Sequence, residues 1–239
     1  MRAALFVTCL VDQLFPRAGE AAAAVLRRCG VAVEFPPAQT CCGQVAFNDG
    51  FWDEARPLAR RHIEVFDHAD VVVAPSGSCV AMVREFYPML LRDEPGWAAR
   101  AREVGQRTFE LSEFLVDVLH TEDAGARFPH RVAYHPACHG LRALGLRDQP
   151  LRLLRRVRDL DLRPLRGAEE CCGFGGMFAV KFSALSSAML ETKLRAIEES
   201  GAEVVTATDV SCLMHIGGGL SRSGSGIRAL HLAEILAAQ

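Results

Sequence analysis

The sequence has no apolar run approaching the ~20 residues that a membrane-spanning helix requires. Its 239 residues carry 27 Lys and Arg against 29 Asp and Glu, a formal net charge of −2. Neither direct membrane insertion nor a general attraction to nucleic acid is therefore expected. The N-terminal stretch MRAALFVTCLVDQLF lacks a basic n-region and a small-residue cleavage site, which predicts a chain that is not secreted. No Rossmann fingerprint for NAD or FAD is present, no Ser, His and Asp arrangement marks a hydrolase, and no Cys-x₂-Cys-x₂-Cys-x₃-Cys-Pro run marks a ferredoxin. Short Cys-x₂₋₄-Cys knuckles of structural zinc sites are missing too.

What the sequence does have is cysteine in a repeated order. Cys9, Cys41-Cys42-Gly43 and Cys79 are followed by Cys138, Cys171-Cys172-Gly173 and Cys212. The intervals agree: 31 residues separate Cys9 from Cys41 and 32 separate Cys138 from Cys171, while 36 and 39 lead on to Cys79 and Cys212. Flanking residues repeat as well. Ala3–Cys9 (AALFVTC) corresponds to Val132–Cys138 (VAYHPAC), Val71–Cys79 (VVVAPSGSC) to Val204–Cys212 (VVTATDVSC), and Leu111–Leu115 (LSEFL) to Leu232–Leu236 (LAEIL). A period of this length makes each copy domain-sized. We place a first cysteine-rich domain at 1–125 and a second at 126–239, joined in the polar stretch Thr121 to His130.

Thiolates are the soft ligands that iron–sulfur clusters and zinc select, so two groups of four suggest two metal sites: Cys9, Cys41, Cys42 and Cys79 for one, Cys138, Cys171, Cys172 and Cys212 for the other. Nine cysteines are an odd number with two adjacent pairs, which fits a reduced cytoplasmic setting better than a disulfide framework. Cys29 stands outside the repeat in a helical run and reads as a buried packing residue.

Apolar patterning alternates strand and helix through both halves. Residues 3–8, Val31–Phe35 and Val71–Ala74 read as strands, with helices over Glu20–Arg28 and Phe51–His68. Val132–His135, Asp161–Leu165 and Val204–Ala207 repeat the strands, and Gln149–Val157 and Ser183–Ser200 the helices. This predicts an α/β fold of two tandem pseudo-symmetric three-layer domains with mostly parallel sheets and one Cys-Cys-Gly cluster site each. Cys9, Cys79, Cys138 and Cys212 then fall just past strand carboxyl ends, where open α/β sheets place ligands. Gly43, Gly173, Gly175 and Gly176 allow backbone amides to approach cluster sulfur.

These motifs resemble the cysteine-rich Cys-Cys-Gly domain family, which includes the corresponding component of heterodisulfide reductase, iron–sulfur subunits of glycolate and glycerol-3-phosphate oxidising systems, and subunits of lactate-oxidising systems. The resemblance covers essentially the full length. Ser76-Gly77-Ser78-Cys79, His135-Pro136-Ala137-Cys138-His139 and the run Cys171 to Lys181 (CCGFGGMFAVK) are most similar to the lactate-oxidising members. It implies an iron–sulfur electron-transfer subunit, one cluster per domain in the [4Fe–4S] or [2Fe–2S] class, acting in L-lactate oxidation to pyruvate alongside an iron–sulfur partner subunit and a third subunit. The alternatives kept open are a related glycolate or glycerol-3-phosphate system, a self-sufficient enzyme with an open iron site, and a zinc-stabilised interaction protein.

The chain departs from the family's five-cysteine pattern, having Cys79-Val80-Ala81-Met82 and Cys212-Leu213-Met214-His215 where a Cys-x-x-Cys pair is complete elsewhere. Noncubane clusters and disulfide reduction are therefore not carried over, and His215 stands as an alternative ligand. His135 and His139 are placed to donate hydrogen bonds to cluster sulfur or relay protons, although a histidine at a strand end is as often structural. Lys181 is placed either to bring a cation near an anionic cluster or to be a solvated helix residue. His62, His68, His120 and His130 have no motif around them and read as surface or packing residues. The basic stretch Arg142–Arg166 and the Gly/Ser-rich segment Gly217–Gly226, read as a mobile loop, are the two candidate docking surfaces.

Overall fold

A computed structural model describes residues 1–239. In the first half, β1 (Arg2–Leu5) leads through α1 (Cys9–Leu14) and α2 (Pro16–Arg28) to β2 (Ala32–Glu34). The Cys41-Cys42-Gly43 turn then opens α3 (Gln44–Asn48), α4 (Trp52–Phe66) and β3 (Val72–Ala74). A helix follows as α5 (Gly77–Ala81), a wider π turn over Met82–Phe86, and α6 (Tyr87–Leu90), after which come α7 (Pro95–Gln106), β4 (Thr108–Glu110) and α8 (Leu111–Glu113). The second half runs β5 (Arg131–Tyr134), α9 (Cys138–Arg142), α10 (Gln149–Arg156), β6 (Asp161–Arg163), α11 (Met177–Lys181), α12 (Ser183–Glu199), β7 (Val204–Ala207), α13 (Val210–Ser223), β8 (Arg228–His231) and α14 (Leu232–Ala237).

The strands form two four-stranded sheets of orders β2-β1-β3-β4 and β6-β5-β7-β8, with every neighbouring pair parallel. The same order twice is the structural form of the repeat. All residues of central strands β3 and β7 are buried, which explains their apolar character, interrupted only by Thr206 in β7, because helices cover both faces of a parallel sheet. The predicted α/β class with two pseudo-symmetric halves is thus present. Strands β4 and β8 are not apparent from the sequence; they are short, and each leads directly into the repeated Leu-x-Glu segment. Both segments open with a reciprocal cap: Glu110 with Glu113, and His231 with Glu234.

The halves are stitched together by exchanging these last helices. α14 packs on α2 of the first half, and α8 with the turn after it packs on α10 of the second. The largest apolar cluster accordingly mixes Val25, Leu26, Leu111 and Leu115 with Leu153, Leu154, Leu232 and Leu236. Thr121–His130, between the halves, contains no helix or sheet strand.

A second contact joins the halves at their helix N-termini. Ser76 and Asp209 are equivalent residues that cap α5 and α13, and their side chains meet, Ser76 Oγ donating to Asp209 Oδ2 at 3.3 Å. Asp209 Oδ2 also accepts from Ser78 N at 2.8 Å, while its Oδ1 accepts from Ser211 N at 3.1 Å. Gly77 completes the seam: a Cβ there would lie 3.2 Å from the Gly140 Cα. Because Asp209 is buried and satisfies donors of both halves, Asp209→Ala is expected to destabilise the chain by about 2–3 kcal/mol, the sum of a lost cap and a stranded buried N–H. Urea unfolding with Asp209→Asn alongside checks this, the amide oxygen restoring part of the loss.

Candidate metal centre

Strand ends and helix starts position the eight repeated cysteines. Cys9 and Cys138 are the first residues of α1 and α9, and Cys79 and Cys212 lie in the first turns of α5 and α13, all just beyond the carboxyl ends of central strands. The adjacent pairs come from the turns before α3 and α11. Gly43 (φ 81°) and Gly173 (φ 88°) take the left-handed conformation that reverses the chain after each pair, and each donates its N–H to the first sulfur of its pair at 3.4 Å. Gly175 and Gly176 also have positive φ and line the same cavity.

Each turn is pinned by residues remote in sequence. The buried Tyr87 hydroxyl donates to Cys42 O at 2.9 Å, and Ser186 Oγ donates to Gly173 O at 2.8 Å. Lys193, only 1% exposed, donates through Nζ to Gly167 O at 2.7 Å and Ala168 O at 3.1 Å, which fixes the approach to Cys171. Nothing in the sequence singles out these three. Asp209 and Ser76 are not marked by a motif either, although their equivalence is visible in the aligned VVVAPSGSC and VVTATDVSC.

All eight sulfurs converge on one cavity of about 180 Å³ between the halves. Cys9 Sγ lies 3.5 Å from Cys41 Sγ and Cys42 Sγ 3.4 Å from Cys79 Sγ, against about 2.0 Å for a disulfide bond. Every cysteine is a free thiol. In each quartet the sulfurs share protons: hydrogen bonds from Cys42 and Cys9 pull Cys41 down to about 2, and those from Cys138 and Cys172 pull Cys171 down to about 2. The donors Cys9, Cys42, Cys138 and Cys172 are correspondingly pushed up, with burial adding to the effect. Cys212 falls to about 6 under a hydrogen bond from Cys172, opposed by burial and helped by His135. Packed thiols that cannot all ionise together are the donor set that a cationic metal group completes, since it takes the protons' place.

The other sequence candidates separate. His139 lines the cavity, with Nδ1 3.7 Å from Cys138 Sγ. His135 is buried behind the cavity wall, next to Cys172 and Cys212. Lys181 is at the exposed end of α11, where Nζ pairs with Asp49 of the first half at 2.6 Å, and it does not line the cavity. Met82 is in the first half's apolar core, and His215 Nε2 meets Ser186 Oγ at 3.2 Å. His62 is packed among Phe6, Phe66 and Tyr87, and Cys29 packs half-buried against the shared core, away from the cavity. One feature of the docking expectation is corrected: Gly217–Ser223 is part of α13 instead of a loop. In the basic stretch Arg147, Arg152, Arg156, Arg163 and Arg166 pair with Glu169, Glu122, Asp161 or Glu199 of this chain.

The profile of the CCG cysteine-rich domain matches the chain twice, at residues 3–84 and 132–217. The chain belongs to the cysteine-rich CCG domain family. Each match holds the first three strands of its half and one complete cysteine quartet, and the structural repeat extends beyond it by a fourth strand and the Leu-x-Glu helix. Among curated members, a lactate utilization protein A of Geobacillus kaustophilus is 46% identical over 239 residues, covering 100% of both chains. The protein of the same name from Bacillus pumilus is 46% identical over 236 residues, 99% of each chain. Lactate utilization protein A 2 of Bacillus cereus is 41% identical over 237 residues, 99% of this chain and 98% of its own. No helix is long and apolar enough to cross a membrane.

Proposed function

We propose that this chain is an iron–sulfur electron-transfer subunit of a system that oxidises L-lactate to pyruvate in the cytoplasm. The convergence of eight free thiols on one cavity carries the reading. Cys9, Cys41, Cys42 and Cys79 hold one metal group, and Cys138, Cys171, Cys172 and Cys212 the other. Four thiolates per site suffice for a conventional cluster, and such a group supplies one-electron transfer when bound. The chain's own part is to hold both sites adjacent on one cavity. Gly43 and Gly173 direct amides at sulfur, and Tyr87, Ser186 and Lys193 hold the turns against movement between oxidation states.

The lactate assignment is supported by the full-length likeness to proteins named for lactate utilization. A lactate-oxidising step removes two electrons and two protons, and no nicotinamide or flavin fingerprint occurs in this sequence. We therefore assign substrate chemistry to the assembled system, with an iron–sulfur partner subunit and a third subunit, and electron passage to this chain. The test is an anaerobic assay with L-lactate and an artificial electron acceptor. The reconstituted chain alone is expected to give no turnover, and turnover is expected when the partner subunits are added; robust oxidation by the chain alone contradicts the relay.

A further inference from the structure

The two quartets are not chemically equivalent, and the difference lies in one residue behind each. His135 follows β5 directly, is 1% exposed, and is tied through its backbone N–H to Thr206 O of the neighbouring strand at 2.8 Å. Neither Nδ1 nor Nε2 has a hydrogen-bond partner of good geometry. One ring nitrogen, Cys172 Sγ and Cys212 Sγ all lie within 4.8 Å of one another. In the first half the equivalent residue is Phe6, fully buried against the rings of His62 at 4.6 Å and Phe66 at 5.5 Å. A buried imidazole with two unpaired nitrogens is costly, and the first half shows that the same position accepts an apolar ring. The residues that follow the last cysteine of each quartet do not supply another donor, because Met82 is core and His215 is engaged with Ser186.

We propose that His135 is a metal ligand that joins Cys172 and Cys212 and takes the place of one of the quartet's other two thiolates, Cys138 or Cys171, so that the second site is a mixed imidazole–thiolate centre while the first is all-thiolate. Imidazole and thiolate together suit iron and zinc alike. Where imidazole replaces thiolate on iron, the reduction potential rises, because a neutral donor leaves the centre less negative. On the iron–sulfur reading above, the second site is then the more oxidising of the two, and an electron entering the chain comes to rest there. Donor asymmetry built into a duplicated fold thus gives the relay a direction.

The experiment is pulsed EPR on the chain reconstituted anaerobically with iron and sulfide, reduced, and labelled with ¹⁵N-histidine. Wild type is expected to show a strongly coupled histidine nitrogen that disappears in His135→Phe and persists in His139→Phe. The phenylalanine variant copies the first half's own residue, and retained far-UV circular dichroism confirms its fold. A wild-type spectrum without ligand-strength nitrogen coupling, or coupling that survives in His135→Phe, overturns the assignment. A cobalt(II) titration of the metal-free chain tests the same ligand without iron–sulfur chemistry. There the ligand-field bands are expected to differ between wild type and His135→Phe, and identical bands overturn the proposal whether or not the chain takes up clusters.

Discussion

Replacing Gly173 with Ala is expected to destabilise the chain by about 3–5 kcal/mol, whereas the same change at Gly43 costs only about 1–2 kcal/mol. Both glycines end a Cys-Cys-Gly turn with positive φ, so both variants incur left-handed strain. The surroundings differ. A Cβ on Gly173 would lie 2.7 Å from the Ser186 carbonyl oxygen and 2.9 Å from the Met189 Cβ, on a helix that cannot yield locally. On Gly43 it would meet the Leu58 Cβ at 3.3 Å, which a small shift relieves. Urea unfolding of the metal-free, reduced chain separates packing from metal binding; equal losses at the two positions would contradict the tight docking of the second turn on α12.

Glu110→Gln is expected to remove a loss of stability that wild type suffers as pH rises from 6.5 to 8. Glu110 is fully buried at the start of α8, one oxygen accepting from Ser112 N at 2.7 Å and the other unpaired. Burial pushes its carboxyl up to about 8, from an ordinary 4.5, against hydrogen bonds from Ser112 that act the other way. Between those values the folded chain holds a proton that the unfolded chain has released, so stability falls as pH rises through the window. Two buried histidines act in the opposite sense at lower pH. Desolvation depresses His62 to about 3 and His231 to about 4, so from there up to 6.5 the unfolded state binds the extra protons and stability rises with pH. Above pH 6.5 the unfolded-state histidines shed their remaining protons, and because wild type and Glu110→Gln carry the same histidines that contribution cancels between them. Wild type is expected to lose about 2 kcal/mol relative to Glu110→Gln between pH 6.5 and 8. Chemical denaturation of both proteins at the two pH values checks it, and parallel curves would place the Glu110 proton elsewhere.

The repeat makes much of this architecture legible, because cysteine spacing and central-strand sequences are both set by local constraints. Val71–Ala74 and Val204–Ala207 read as buried strands since two covering helix layers favour apolar residues on both faces, Thr206 being the one polar residue among them. Edge elements are harder. β8 begins at Arg228 and spans four residues, too few for a period to show. Gly217–Ser223 reads as a loop on glycine content, yet Gly219 lets α13 approach Leu190 and Leu194 of α12, and that packing outweighs poor helix propensity. Lys193 is illegible for another reason. A lone lysine in a helix ordinarily has its amine in water, and the carbonyls it meets belong to a turn some 25 residues earlier. His135 and His139 flank the same cysteine and look alike in sequence. They differ because His135 directly follows β5 and is buried behind Cys172, whereas His139 lies in the first turn of α9 and faces the cavity.

Iron and acid-labile sulfide measured on anaerobically purified protein, for wild type, Cys29→Ala and Cys172→Ser together, tests the central claim most directly. The account predicts iron and sulfide in comparable amounts in wild type, unchanged content in Cys29→Ala, and a clear loss in Cys172→Ser, since only the second of these thiols reaches the shared cavity. Zinc without sulfide, or equal iron loss in both variants, would contradict it.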